Sequence, residues 1–461
     1  MTYAEALAKL AAHGQEHVLA HWKILHPDLQ SDLLQQIDSL DFGVINAMKS
    51  LLAARKSAPA NEPDPEPGDA LALTSAEQAA AAGLGTEAIR AGRVGVILVA
   101  GGQGTRLGFD GPKGTFGIGP LSDYSLFEIH ARKIAALERR FGANIPFYVM
   151  TSRLNDAATR AFFRDHANFG LSQDRVLFFP QGMLPALFPD GRLVLEAPGR
   201  LFMGPDGHGG ILQALQVTNM LRDMKRRGLD TLFYFQVDNP LVEIADPAFI
   251  GLHRERRIQF SLKVCAKRDP AEGLGVIARR GETGLRMVEY TELTEAQKQA
   301  RTASGELLFK YGSVAIHLFS LDFLIATAQA GLPLHTAHKK VPFFDGRRTV
   351  SPDKPNAFKF EKFIFDALPL AERALALEFD RTEEFSPVKN ATGSDSPSTA
   401  KRDMSRKFAR WLEACHVAVP LEADGYPLHR IEIDPRYASN VEELRKRIPK
   451  GFAILGETWL R

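Results

Sequence analysis

The strongest constraint on this chain is an alternation that begins at Arg93. Nearly all-apolar runs, VGVILVA (94–100), PFYVMTS (146–152), RVLFFPQG (175–182), TLFYFQVDN (231–239) and FSLKVCAK (260–267), are separated by amphipathic stretches. These are LFEIHARKIAALERRF (126–141), DAATRAFFRDH (156–166) and GGILQALQVTNMLRDMKRRG (209–228). Strands apolar on both faces must be covered on both faces, so the pattern predicts an α/β fold with a parallel sheet between helices. In such sheets a ligand binds beyond the carboxyl ends of the strands. Glycines and polar residues gather there: GGQGTRLG (101–108), Gln181-Gly182 and Asp238-Asn239, with PDGHGG (205–210) ahead of a helix.

At 461 residues the chain exceeds one ordinary core and divides into three parts. Residues 1–70 read as a helical N-terminal segment and linker. Leu33, Leu34, Ile37 and Leu40, then Phe42, Ile45, Met48 and Leu51, recur at helical spacing. APANEPDPEPGD (58–69) is too rich in proline and acid to bury a core. Residues 71–385 hold the catalytic alternation. Residues 386–461, with the loop NATGSDSPST (390–399), form a small C-terminal domain or lid. The net charge of +2 leaves no bulk field for nucleic acid or membrane. Two cysteines without a CxxC, and an N-terminus lacking an apolar signal core, fit a cytoplasmic setting. The thirteen histidines make no HExxH.

The first glycine loop carries the chemistry. Gly101, Gly102, Gly104 and Gly108 permit close backbone approach, and a loop of this kind between strand and helix points N–H groups at an anion. Lys113 follows Pro112 rather than glycine, so this is no Walker loop. From Gly102 the spacing is GxGxxxG, so it is no dinucleotide fingerprint, and a dinucleotide-dependent oxidoreductase is set aside. A nucleoside-phosphate loop of another type remains, with Arg106 as a forked contact and Lys113 as a point charge for a triphosphate. Asp238 either holds Mg²⁺, a cation that prefers oxygen ligands, or caps the next helix. PDGHGG reads as an approach for a bulky group or as a capping turn, Glu289 as a site residue or a strand end, and Lys389 in FSPVKN as a site residue or a solvated charge.

LVAGGQGTRLG followed by GPKG resembles the signature of the eukaryotic-type UDP-sugar pyrophosphorylase family, especially its UDP-N-acetylglucosamine pyrophosphorylases. QGMLPA (181–186), PDGHGG, VDNPLVEIADPAFIG (237–251), VEYTE (288–292), PDKPNAFKFEKFIFD (352–366) and EEFSPVKN (383–390) are similar to that family in its order, from about His17 to about Asp434. The resemblance implies a Rossmann-like, mixed but mostly parallel sheet of the nucleotide-diphospho-sugar transferase type. It implies transfer of a uridylyl group from UTP to a sugar 1-phosphate, giving UDP-sugar and pyrophosphate with Mg²⁺. Gly101, Gly102, Gly104 and Thr105 would hold the nucleotide, Arg106, Lys113 and Lys389 the phosphates, and Gln181 and Gly207 the uracil edge. Asp238 would bind the metal or orient the phosphates. Gly275, Glu289, Ser313, Phe363 and Phe365 would face the sugar.

The family places asparagine at His208, and it reads AGN where this chain reads YGS (311–313). Both positions would face the sugar, so N-acetylglucosamine 1-phosphate comes first, with glucose or galactose 1-phosphate as alternatives. The part after Asp434 is shorter than in the nearest members of the family. A non-catalytic sugar-nucleotide sensor is the competing class. Against it stand Arg106, Lys113, Asp238 and Lys389 together, a leaving-group clamp that a sensor does not need.

Overall fold

The computed structural model describes residues 1–55, 64–281 and 284–461. The chain forms two compact units, Met1–Asp64 with Gly182–Ile211 and Gly331–Asp366, and Pro65–Gln181 with Leu212–Ala330 and Ala367–Arg461.

In the first unit the expected N-terminal helices are α1 (Tyr3–Ala11), α2 (Pro27–Ser39) and α3 (Phe42–Arg55). Thr2 and Glu5 close a capping box on α1, and Pro27 opens α2, where its missing N–H costs nothing. Lys9 reaches from α1 to the carbonyls of Ile37, Asp38 and Leu40, satisfying the orphan end of α2. The periodic residues Leu33, Ile37, Ile45 and Met48 are buried, and they share one core with Leu187, Leu193, Leu195, Leu201 and Phe360. The unit therefore runs through stretches that the three-part division had assigned to the catalytic region. Local periodicity finds helices but not the distant segments they pack on.

The second unit is built on a nine-stranded sheet. Its strands are β1 (Val94–Val99), β2 (Phe147–Thr151), β3 (Val176–Pro180), β4 (Thr231–Gln236), β5 (Phe260–Ala266), β6 (Val276–Arg280), β7 (Gly284–Val288), β8 (Tyr311–Ser320) and β9 (Ala374–Glu378). The order β3-β2-β1-β4 is parallel, with Val96 opposite Phe147 and Phe233. Beyond β4 the sheet turns antiparallel through β8, which pairs with β5 and β6, while β9 returns parallel to β5. The sheet is thus mixed: of the five runs read as parallel strands from their unbroken apolarity, four are β1 to β4, whereas FSLKVCAK is β5, antiparallel to β8 and parallel only to β9, because an apolar run looks alike in either pairing. Tyr148, Val149, Phe233 and Phe235 are buried.

The second unit also contains the helices α4 (Ser75–Arg90), α5 (Leu126–Phe141), α6 (Pro247–Glu255) and α7 (Pro397–Ala414). Helices α4 and α6 cross at Gly85 and Gly251. A Cβ on Gly85 would overlap the Pro247 carbonyl oxygen, and one on Gly251 that of Ala81. The Ala58–Asp69 linker lies outside the described residues as far as 63. Its described remainder is not free. Pro67 bridges Ala278 and the Gly68 N–H donates to Ile277 O at 3.1 Å, so it runs along β6. The C-terminal stretch belongs to the second unit but keeps a core of its own around Leu412, Ile431, Ile433 and Leu444. No helix among the described residues is long and apolar enough to cross a membrane.

Candidate active site

The first glycine loop leaves β1 at its carboxyl end and is closed by its own backbone. Lys113 N–H donates to Gly102 O (3.1 Å), Gly104 N–H to Gly111 O (2.9 Å) and Phe109 N–H to Gly104 O (3.1 Å). Asn155 fastens the loop root, donating through Nδ2 to Ala100 O (2.9 Å) and Gly102 O (3.3 Å). Thr105–Leu107 makes one tight turn, and Gly108 ends it at φ 69°, a conformation that costs other residues energy.

The glycines have different reasons. Gly104 is filled from within, since a Cβ there would lie 2.6 Å from the Phe109 ring, and Gly114 sits flat on Phe127. Gly102 is exposed and a Cβ there would meet nothing within 4 Å, so its bare backbone faces open space. Thr105 and Arg106 are exposed, and Arg106 makes no hydrogen bond or ion pair among the described residues.

Lys113 is paired with Asp238 (Nζ to Oδ2, 3.0 Å), with the two side chains only 16% and 14% exposed. Asp238 stands just past β4, and its carbonyl accepts from Val388 N–H at 2.8 Å. That bond brings the adjoining Lys389 beside it. Lys389 N–H is in turn held by Asp395 O at 2.7 Å, and its ammonium lies over the Phe385 ring. Three residues widely separated in sequence, Lys113, Asp238 and Lys389, are thereby collected at the strand end that the fold rule points to.

Gln181 prolongs β3, its N–H donating to Thr151 O at 2.8 Å, and its side-chain amide lies against Gly101. A Cβ on Gly101 would come within 2.9 Å of Gln181 Oε1, so the glycine makes room for that amide. In the same unit Gly275, Glu289 and Ser313 also meet. Ser313 N–H donates to Gly275 O at 2.8 Å, and a Cβ on Gly275 would sit 3.3 Å from Glu289 Oε1. The β8 register slips between Ser313 and His317, with Ala315 at φ 57°, a bulge that re-aims the neighbouring side chains.

The other unit holds His208, Phe363, Phe365 and Gly207. His208 stacks on Phe363 (centroids 5.3 Å apart, 23° between planes) and lies tilted to Phe365. Its Nδ1 accepts from Ile364 N–H at 3.2 Å, which leaves the proton on Nε2. Burial pushes its pKa down to about 4, against the opposing pull of Asp366, so the ring is neutral at pH 7 and offers a donor only. Gly207 has φ 81°.

Three side chains were given no role from the sequence. Asp206 is buried against Gly182 and Gly210, its Oδ1 has no hydrogen-bond partner among the described residues, and burial raises its pKa to about 6. Asn155 and the buried Asn239 act through the backbone, Asn239 donating to Glu384 O at 2.6 Å and accepting from Ser386 N–H at 3.1 Å. The signal available was an asparagine just past an apolar strand, as in TSRLN and FQVDN.

A glycine loop at the head of a mixed α/β sheet, with two lysines, an arginine and one carboxylate near it, suits a nucleotidyltransferase of the UDP-sugar pyrophosphorylase class. Residues 67–450 match the family described as UTP–glucose-1-phosphate uridylyltransferase, and the chain belongs to that family. It is 36% identical over 457 residues to UDP-N-acetylglucosamine diphosphorylase 2 of Arabidopsis thaliana, covering 94% of this chain and 87% of that one. It is likewise 36% identical over 427 residues to the UDP-N-acetylglucosamine pyrophosphorylase of Saccharomyces cerevisiae, covering 87% and 89%. The crystal structure of the uridine diphosphate N-acetylglucosamine pyrophosphorylase of Trypanosoma brucei, in complex with an inhibitor, superposes with a TM-score of 0.85 at 27% identity, over 99% of this chain and 98% of that one.

Proposed function

We propose that the sugar substrate is N-acetylglucosamine 1-phosphate and that Arg106, Lys113 and Lys389 carry the charge of the transfer. One observation supports this most: Lys113, Asp238 and Lys389 converge beside a loop whose Gly102 is bare and whose Arg106 has no partner among the described residues. A phosphate oxygen of the sugar 1-phosphate attacks the UTP α-phosphorus in line. The new P–O bond forms as the bond to the β-phosphate oxygen breaks, and the electron pair leaves on pyrophosphate. Little covalent work falls to the protein, so positioning and charge neutralisation dominate.

The unpaired Arg106 guanidinium suits a forked contact with the β,γ-phosphates. Lys113 exchanges Asp238 for a phosphate oxygen when UTP enters, and Lys389 approaches from the Asp238 side. Gln181, fixed behind Gly101, presents an amide to the base. Among the described residues no cluster of three or more His, Cys, Asp or Glu side chains is spaced to hold a metal ion. Asp238, beside Lys113 past the end of β4, is the carboxylate that would hold Mg²⁺, a cation that takes one or two carboxylates and completes its shell with phosphate oxygens and water. When bound, Mg²⁺ would supply positive charge that offsets the charge of the phosphates.

The names of the Arabidopsis and Saccharomyces relatives put N-acetylglucosamine 1-phosphate first. Glucose and galactose 1-phosphate stay as a second reading because His208 is a donor-only ring where an amide is expected, and serine replaces asparagine at 313. Pyrophosphate release from UTP, Mg²⁺ and a panel of sugar 1-phosphates decides. Fastest turnover with N-acetylglucosamine 1-phosphate supports the proposal, and a glucose or galactose optimum replaces it. UTP binding without release by any sugar leaves the sensor.

A further inference from the structure

Helix α7 lies far along the chain from the glycine loop, yet one of its faces is bonded to the segment that carries Lys389. Asp403, Lys407 and Arg410 lie at helical spacing i, i+4, i+7 on one side. Asp403 Oδ2 accepts from Ser386 Oγ at 2.6 Å, and its other oxygen accepts from Tyr426 OH at 2.9 Å. Lys407 Nζ donates to Glu383 O at 2.6 Å and, at 3.4 Å, to Leu241 O. Arg410 donates through Nε to Glu383 Oε1 and through Nη2 to Thr382 O, both at 2.7 Å. Residues 382–386 are thus pinned turn by turn, and two residues later Val388 N–H grips Asp238 O and Lys389 begins.

Lys407 is the member that reaches both sides. It is only 8% exposed, and its ammonium donates to carbonyl oxygens. One belongs to the segment before Lys389, the other to the turn after Asp238. Lys133 on α5 secures the same turn, donating to Pro240 O (2.5 Å) and Val242 O (2.8 Å). Asn239 ties the two segments directly, to Glu384 O and Ser386 N–H. An ammonium is costly to bury for packing alone, since an apolar side chain of that length fills the space more cheaply. What the charge adds is donors that fix two backbone segments in register.

We propose that Lys407 is a positioning residue, setting Lys389 against Asp238 from α7. This rests on the reading of Lys389 as a phosphate ligand. Displacing a catalytic group by about 1 Å costs up to about 100-fold in rate. Lys407→Met, which keeps length and loses the donors, is therefore expected to lower kcat on the order of 10- to 100-fold with KM for UTP little changed. Lys407→Arg restores part of the loss, because a guanidinium can reach the same carbonyls. The test is a cycle in the full-length protein among the parent, Lys407→Met, Lys389→Ala and the double variant, with thermal melting of each. Ser386→Ala serves as a second probe that removes one bond of the strip without burying a changed charge.

If Lys407 acts through Lys389, its replacement costs less than about 3-fold once Lys389 is alanine, well outside additivity. Full additivity, or equal loss in Lys407→Arg and Lys407→Met, overturns the positioning role. Parent-like kcat in Lys389→Ala instead removes the phosphate assignment of Lys389, and the inference falls with it for that separate reason.

Discussion

Two glycine-rich turns in this protein have similar composition and opposite purposes. In GGQGTRLG, Gly102 has open space where a Cβ would be, and the neighbouring Arg106 is unpaired among the described residues. In PDGHGG the space is already taken by the protein. A Cβ on Gly209 would come within 2.6 Å of the Phe363 backbone, one on Gly207 within 2.5 Å of Lys362 O, and one on Gly210 would overlap the Asp206 carboxylate. The first turn is bare toward open space, as the proposed nucleotide loop requires, and the second is bare so that residues 361–364 can lie against it. Glycine content alone does not separate the two cases, and the distance from each missing Cβ to its nearest neighbour does.

Substitutions sharpen the contrast, and the largest effect belongs to the first turn. Arg106→Ala and Lys113→Met are each expected to raise the transfer barrier by about 2.7–4 kcal/mol, the size of one preorganised electrostatic contact, read as kcat/KM for pyrophosphate release. Parent-like rates at both positions would remove the phosphate role from this turn.

Next comes Asp206 in the second turn, whose pKa is raised from 3.8 to about 6 by burial. Below about pH 4 the folded and unfolded carboxyls are both protonated, and the site is neutral in its effect. Between about 4 and 6 the folded protein holds a proton that the unfolded chain releases, so stability falls as pH rises, and above 6 the full penalty stands. Asp206→Asn is therefore expected to add up to ~3 kcal/mol of stability at pH 8 and almost nothing at pH 4. Urea unfolding at the two pH values checks it, and an equal change at both would mean that ionisation is not the cause.

Gly209→Ala follows at about 1–3 kcal/mol of destabilisation, the cost of overpacking against backbone that cannot retreat. Gly102→Ala is the smallest in stability, below about 0.5 kcal/mol, while KM for UTP rises because the methyl group occupies ligand space. Comparable melting losses in both glycine variants would dissolve the distinction between the two turns. His208→Asn with Ser313→Asn probes selectivity alone: the preference for N-acetylglucosamine 1-phosphate over glucose 1-phosphate is expected to rise by about 1–3 kcal/mol in relative kcat/KM, the range for one pocket contact. An unchanged ranking would take sugar choice away from these positions.

Much of the layout of the candidate site was readable in the chain because its parts follow strands. Gly101 to Lys113, Gln181 and Asp238 all stand where an apolar run stops, so strand pattern and the carboxyl-end rule locate them together. Lys389 was legible only through family resemblance, because FSPVKN has no periodic signature of its own. Asn155 and Asn239 stood just past apolar strands but were given no role, and Lys407 was missed because its bonds go to backbone carbonyls that no residue pattern announces. The mixed character of the sheet beyond β4 was likewise carried by resemblance, as apolar runs look alike in parallel and antiparallel pairs.

By itself, then, the sequence determined the α/β class, the position of the glycine loop with its two charges, and the family, because each is written in local periodicity or in an ordered set of short motifs. Only the tertiary structure decided which segments share a core with the N-terminal helices, why Gly209 is glycine, and that Lys113, Asp238 and Lys389 meet. Those facts depend on contacts between residues more than a hundred positions apart, such as Val388 N–H to Asp238 O and Lys113 to Asp238. Long-range pairing is set by packing of the whole unit, and no window of sequence contains it.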